Sequence, residues 1–151
     1  MPGLGLLASP PTTAGFAIKS AAVMVNNDVL FTVTGGPLWI MGLTSLCVTA
    51  NNGTASTLQY RISPTTAASA QTISNASGSL ASAAAGASVT LLGTALTTAA
   101  NLNANGPNLG MTSPIFCPIG VIDIVVGVGS TTGTWAHYLA YWPLSGSTIV
   151  S

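Results

Sequence analysis

From Ile62 to Ile122 the chain carries no Asp, Glu, Lys, Arg or His. Whatever surface so long a charge-free stretch forms must consist of Ser, Thr, Asn, Gly and Ala, which suits a protein packed against copies of itself or a partner. The rest of the sequence adds little charge. The 151 residues include two Lys+Arg, two Asp+Glu and one His, which makes 3% of them charged, against roughly 25% in an average globular domain. The whole inventory is Lys19, Asp28, Arg61, Asp123 and His137, with Cys47 and Cys117 in addition. Catalysis, metal binding and cofactor binding draw on such groups, so neither an enzyme nor a cofactor or metal site is expected. Lys19 and Arg61 stand alone in sequence, so no basic patch for nucleic acid is expected either.

Apolar residues at 48% do permit a core, and a chain of this size buries about 68–70% of its unfolded surface in one domain. Leu80–Ala100 is long enough to cross a bilayer as a helix. It holds only Leu80, Val89, Leu91, Leu92 and Leu96 as large apolar groups among Ser, Thr, Gly and Ala, with no Lys or Arg at either end, so no membrane span is expected. The first eight residues, Met1-Pro2-Gly3-Leu4-Gly5-Leu6-Leu7-Ala8, lack a basic n-region and a long apolar core, and no secretion signal is expected. Cys47 and Cys117 both lie in apolar runs and read as buried thiols acting as small hydrophobes.

Residues 1–18 are rich in Gly, Pro and small side chains, with Leu4, Leu6, Leu7, Phe16 and Ile18 as the sizeable apolar groups. Pro2, Pro10 and Pro11 prevent a helix, and the segment reads as an extended N-terminal arm. Such an arm either docks its Leu and Phe on a neighbour, folds back on its own domain, or frays. Residues 19–151 read as a single β domain. Val29–Thr34 and Leu38–Thr49 are β-branched and aromatic and are broken by Gly35-Gly36-Pro37. Asn51-Asn52-Gly53 suits a tight primed turn, and Thr57–Ile62 returns by alternation, which predicts a hairpin.

Ala67–Leu109 is low in complexity. It offers short strands at Gln71–Ser74 and Ser88–Leu92 and one or two helical turns within Thr94–Leu102. Ile115–Pro118, Val121–Val126 and Thr134–Trp142 read as strands again, with Gly127–Gly133 as a hairpin loop between the last two. Short strands spaced by Gly, Asn and Pro, with little helix signal, predict an all-β antiparallel sandwich or barrel of jelly-roll type.

Gly127-Val128-Gly129-Ser130-Thr131-Thr132-Gly133 imitates a dinucleotide loop, but its third glycine comes one residue late and no acidic residue follows it. His137 sits between alternating aromatics and reads as a packing residue with one satisfied hydrogen bond rather than a general base; no G-x-S-x-G elbow accompanies it. Alternation sends Trp135, His137, Leu139 and Tyr141 to one face of a strand, and Ala136, Tyr138, Ala140 and Trp142 to the other. One set must be core. The other is then a subunit interface or a platform for sugar rings, and aromatic enrichment favours the interface. Leu4, Leu6, Leu7, Phe16, Trp39, Tyr138 and Trp142 are the candidate interface residues.

Two segments resemble a family of small tailed-bacteriophage head proteins, the decoration, auxiliary capsid or cement proteins. The first is Leu30-Phe31-Thr32-Val33-Thr34-Gly35-Gly36-Pro37-Leu38-Trp39-Ile40, leading through Asn51–Gly53 to Ser63-Pro64-Thr65-Thr66. The second is Gly120-Val121-Ile122-Asp123-Ile124, then Thr132-Gly133-Thr134, then Tyr138-Leu139-Ala140-Tyr141-Trp142-Pro143-Leu144 and Gly146. The resemblance implies a β-rich domain that assembles as a trimer on the outer surface of an icosahedral head, after synthesis in the host cytoplasm. Its implied partners are the major capsid protein and further copies of itself, with no nucleic acid and no membrane. A tail-tip or fibre component with a glycan-binding β module is the alternative.

Overall fold

A computed structural model describes residues 13–51, 53–66, 69–106, 108–128 and 130–151. Leu4, Leu6 and Leu7 lie outside the described residues. The strands are β1 (Gly15–Val23), β2 (Val29–Thr34), β3 (Leu38–Cys47), β4 (Thr57–Pro64), β5 (Gln71–Thr72), β6 (Ser88–Thr90), β7 (Asn101–Asn103), β8 (Ile115–Cys117), β9 (Gly120–Gly127), β10 (Thr134–Pro143) and β11 (Ile149–Val150). The described residues contain no helix, and none of their segments is a helix long and apolar enough to cross a membrane. β1 opens within the stretch read as an arm, so Gly15–Ile18 are strand residues.

The strands form two antiparallel sheets that remain separate, giving a sandwich rather than a closed barrel. Sheet A runs β1-β10-β3-β6-β7, with β8 paired to the start of β3; sheet B runs β11-β2-β9-β4-β5. The pairs β1 with β10, β2 with β9, β3 with β6 and β4 with β5 are those of a long eight-stranded ribbon folded back on itself. Rolling that ribbon brings β10 beside β3 and β9 beside β4, which is the jelly roll. β7 and β11 each lengthen one sheet edge.

This topology corrects two local expectations. β3 and β4 lie in different sheets, as do β9 and β10, so Asn51–Gly53 and Gly127–Gly133 belong to connections that cross between the layers and are not hairpin loops. Gly53 does take the expected positive φ, at 81°. Turn chemistry of this kind fixes a local bend, not the partner of the strand that follows it. The helical turns expected within Thr94–Leu102 are likewise absent: a single backbone bond from Thr98 N–H to Ala95 C=O marks a turn, and Asn101–Asn103 is strand.

The core lies between the sheets. Leu38, Ile40, Leu43 and Cys47 of β3 and Trp135 and Leu139 of β10 face Phe31, Leu58, Tyr60, Ile122 and Ile124 of sheet B, all buried. The two segments that carry the family resemblance meet in space. Leu144 N–H donates to Pro37 C=O at 3.1 Å, and the Ser147 hydroxyl donates to Gly35 C=O at 2.6 Å. Gly35, at φ 74°, has no room for a Cβ, which would stand 1.9 Å from the Ser147 carbonyl oxygen. Glycine is therefore required there on two counts, its conformation and its contact.

Candidate functional site

Directly opposed residues of an antiparallel pair share a face, so the register defines the outer surface of sheet A row by row. Phe16 stands beside Ala140, which stands beside Gly42; Ile18 beside Tyr138 and then Thr44; Trp142 beside Trp39 and then Phe116. The register between β3 and β10 skips Met41, a bulge that leaves this methionine exposed without turning the later residues of β3 over. Four of the candidate residues, Phe16, Trp39, Tyr138 and Trp142, thus fall on one surface. Phe16 is 78% exposed, and Ile18, Trp39, Met41, Phe116 and Tyr138 are exposed as well. Trp39 and Phe116 meet edge to face with ring centroids 5.6 Å apart, a favoured aromatic geometry.

The middle of this surface is hollow. Gly42 and Ala140 supply almost no side chain there, and Phe16, Ile18, Thr44 and Tyr138 stand around them, leaving an open apolar groove of about 350 Å³.

The outer surface of sheet B is mixed: Val29 and Ile149 are exposed on it, and it also carries an ion pair. Gln59 lies beside Val125, Arg61 beside Asp123 and Ser63 beside Val121. Arg61 Nε donates to Asp123 Oδ1 at 2.6 Å, Ser63 Oγ donates to Asp123 Oδ2 at 2.6 Å, and Arg61 Nη2 donates to Asn27 Oδ1 at 2.8 Å. The second ion pair, Lys19 with Asp28 at 2.7 Å, ties β1 of sheet A to the residue preceding β2 of sheet B. All four formally charged side chains of the sequence are therefore engaged in two ion pairs, and the exterior carries no unpaired charge from them.

His137 faces inward, as alternation with Trp135 and Leu139 predicts, and is buried. Its Nδ1 lies 2.7 Å from Ser45 Oγ, and Ser45 Oγ lies 2.8 Å from the Tyr60 hydroxyl, which donates to Val89 C=O at 2.9 Å. Proton accounting orders the chain. Tyr60 has one hydroxyl proton and spends it on Val89, so its oxygen accepts from Ser45, and Ser45 in turn accepts from His137 Nδ1–H. The imidazole nitrogen facing the serine already carries a proton and cannot take one from it. Burial, with a smaller contribution from the Lys19 charge, lowers the His137 pKa to about 4. The bonds tie the two layers together: Tyr60 reaches from sheet B to β6 directly and, through Ser45, to β3 and β10 of sheet A.

Asn51 is a second buried polar hub that its reading as a turn residue missed. Its Oδ1 accepts from the backbone N–H of Thr132 at 2.7 Å and of Gly133 at 3.0 Å, and its Nδ2 donates to Leu80 C=O at 2.7 Å. Among the described residues no group of three or more His, Cys, Asp or Glu is placed to hold a metal ion. Cys47 and Cys117 are free and buried. They sit at opposite ends of β3, since Cys117 pairs with Leu38.

Fold and surface together define a charge-neutral jelly-roll sandwich whose sheet A carries an exposed aromatic and aliphatic surface. Comparison with protein-family models, with curated proteins and with solved structures finds no match in any of the three.

Proposed function

We propose that this protein is a non-catalytic virion component, a decoration or cement protein that binds the outside of an assembled phage head and stabilises it, as a homo-oligomer of trimeric type. The observation that carries this reading is the exposed apolar surface of sheet A. The outer surface of sheet A presents Phe16, Ile18, Trp39, Met41, Phe116 and Tyr138, while the charged groups are all spent on one another. Such a surface suits burial against protein and is a poor one for independence in water. The jelly roll is a fold of capsid proteins, and of lectins as well, so it supports the reading without deciding it.

Stabilisation would follow from mass action, each copy binding the assembled lattice better than free capsid subunits, with several weak contacts per oligomer combining. The test is to add purified protein to heads lacking it and follow co-sedimentation and thermal disruption. Binding with a raised disruption temperature is expected; no binding and unchanged disruption would remove the proposal. The second reading, a tail-tip or fibre module for host glycans, draws on the exposed Trp39–Phe116 pair, and binding to a glycan array together with a tail location would favour it.

A further inference from the structure

The groove on sheet A needs an occupant, and we propose that it receives Leu4, Leu6 and Leu7 from the N-terminal segment of a neighbouring copy, so that the copies are linked by exchanged arms. This rests on the reading of the chain as a self-associating coat component.

Four observations favour that occupant. The segment carries no charged side chain, and neither does the groove wall of Phe16, Ile18, Thr44, Tyr138, Gly42 and Ala140. Leu4 and Leu6 are two residues apart, which places them on one side of an extended chain, as a groove with a floor of Gly42 and Ala140 requires. The segment also joins the domain at this same surface, because Phe16, the second residue of β1, is part of the groove wall. Between Leu7 and Gly15 there is about 26 Å of extended chain, a span close to the diameter of a small domain. Ser9-Pro10-Pro11 biases positions 9 and 10 toward extended backbone, which favours a segment that runs on to a neighbour over one that turns back.

The arrangement also explains why Gly42 and Ala140 sit together on a surface otherwise crowded with aromatics. A Cβ built on Gly42 lies 3.7 Å from the Ala140 Cβ, an ordinary contact, and its φ is not in the left-handed region. The backbone therefore tolerates a larger residue there.

The experiment uses the full chain, free in solution and without heads, so that its failure leaves head binding to be judged separately. Chains carrying Leu6→Cys are mixed with chains carrying Ala140→Cys and oxidised in air. A covalent dimer of one chain of each kind is expected, and Gly42→Leu in the Ala140→Cys chain should reduce its yield at least tenfold. In parallel, Leu4→Ser/Leu6→Ser/Leu7→Ser should lower the solution mass from oligomer to monomer with the melting temperature of the β domain retained. The proposal is overturned by absence of the mixed dimer, by a crosslink that forms only within a chain carrying both cysteines, or by an oligomer that survives the triple serine substitution.

Discussion

Ser45 and His137, 92 positions apart in the chain, are joined at 2.7 Å between Ser45 Oγ and His137 Nδ1 inside the sandwich. The histidine is the donor in that bond, a direction fixed by the tyrosine further along the chain of hydroxyls. The pair accordingly contributes to stability, and its role is visible in how that stability responds to pH.

Burial holds His137 neutral down to about pH 4, whereas an unfolded histidine protonates near 6.5. Between those values the unfolded chain binds a proton that the folded chain does not, so stability falls as pH drops from about 6.5 to 4, by roughly 3 kcal/mol in total. Denaturant unfolding at pH 7.5, 6, 5 and 4 measures this directly. A His137→Gln chain should lose most of that slope, and a wild-type stability flat across the window would contradict the assignment.

Asn51→Ala removes the acceptor of the buried Gly133 N–H and the donor to Leu80 C=O. With each buried group left unpaired costing about 1–3 kcal/mol, a loss of roughly 3 kcal/mol is expected in chemical denaturation. Asn51→Asp keeps the acceptor but brings an uncompensated buried charge, and it should rescue little at neutral pH.

Gly35→Ala puts a Cβ against the Ser147 carbonyl at a backbone conformation unfavourable to L residues. Loss of more than 2 kcal/mol is expected, and for a chain of this size that lowers the melting temperature by about 4–8 °C. Gly53→Ala shares the positive φ but meets nothing within 4 Å, so calorimetry should show it as the milder of the two.

Cys47 and Cys117 are kept apart by the length of β3, and a disulfide cannot bridge that distance. Burial pushes the Cys117 thiol up to about 12 and raises that of Cys47 too, so both are poor nucleophiles in the fold. A thiol reagent should titrate neither in native protein at pH 8 and both in denaturant; rapid labelling of native protein would contradict the burial.

β2 to β6 and β8 to β10 were legible because β-branched and aromatic alternation is a local signal, whereas β1, β7 and β11, which lack such a run, were not read as strands. The same parity sorted β10 into Trp135, His137 and Leu139 inside and Tyr138 outside, and Ser45 could have been placed inward by its alternation with Leu43 and Cys47. What alternation does not carry is the assignment of strands to sheets. Asn51–Gly53 has the residues of a hairpin turn, yet the Asn51 side chain is consumed in holding a crossing between layers. In Ala67–Leu109 the buried positions, among them Ile73, Leu80, Ala83, Ala87 and Leu91, follow long connections that wrap the core, so no period of two or 3.6 runs through them.

An electron-microscopy map of the particle at a resolution that shows side chains tests the central claim most directly. The account predicts jelly-roll density on the outside of the head, with Phe16, Tyr138 and Trp39 covered by protein and the Arg61–Asp123 face toward solvent or a polar contact. Density at the tail tip, or head-bound copies whose sheet A surface is bare to solvent, would contradict it.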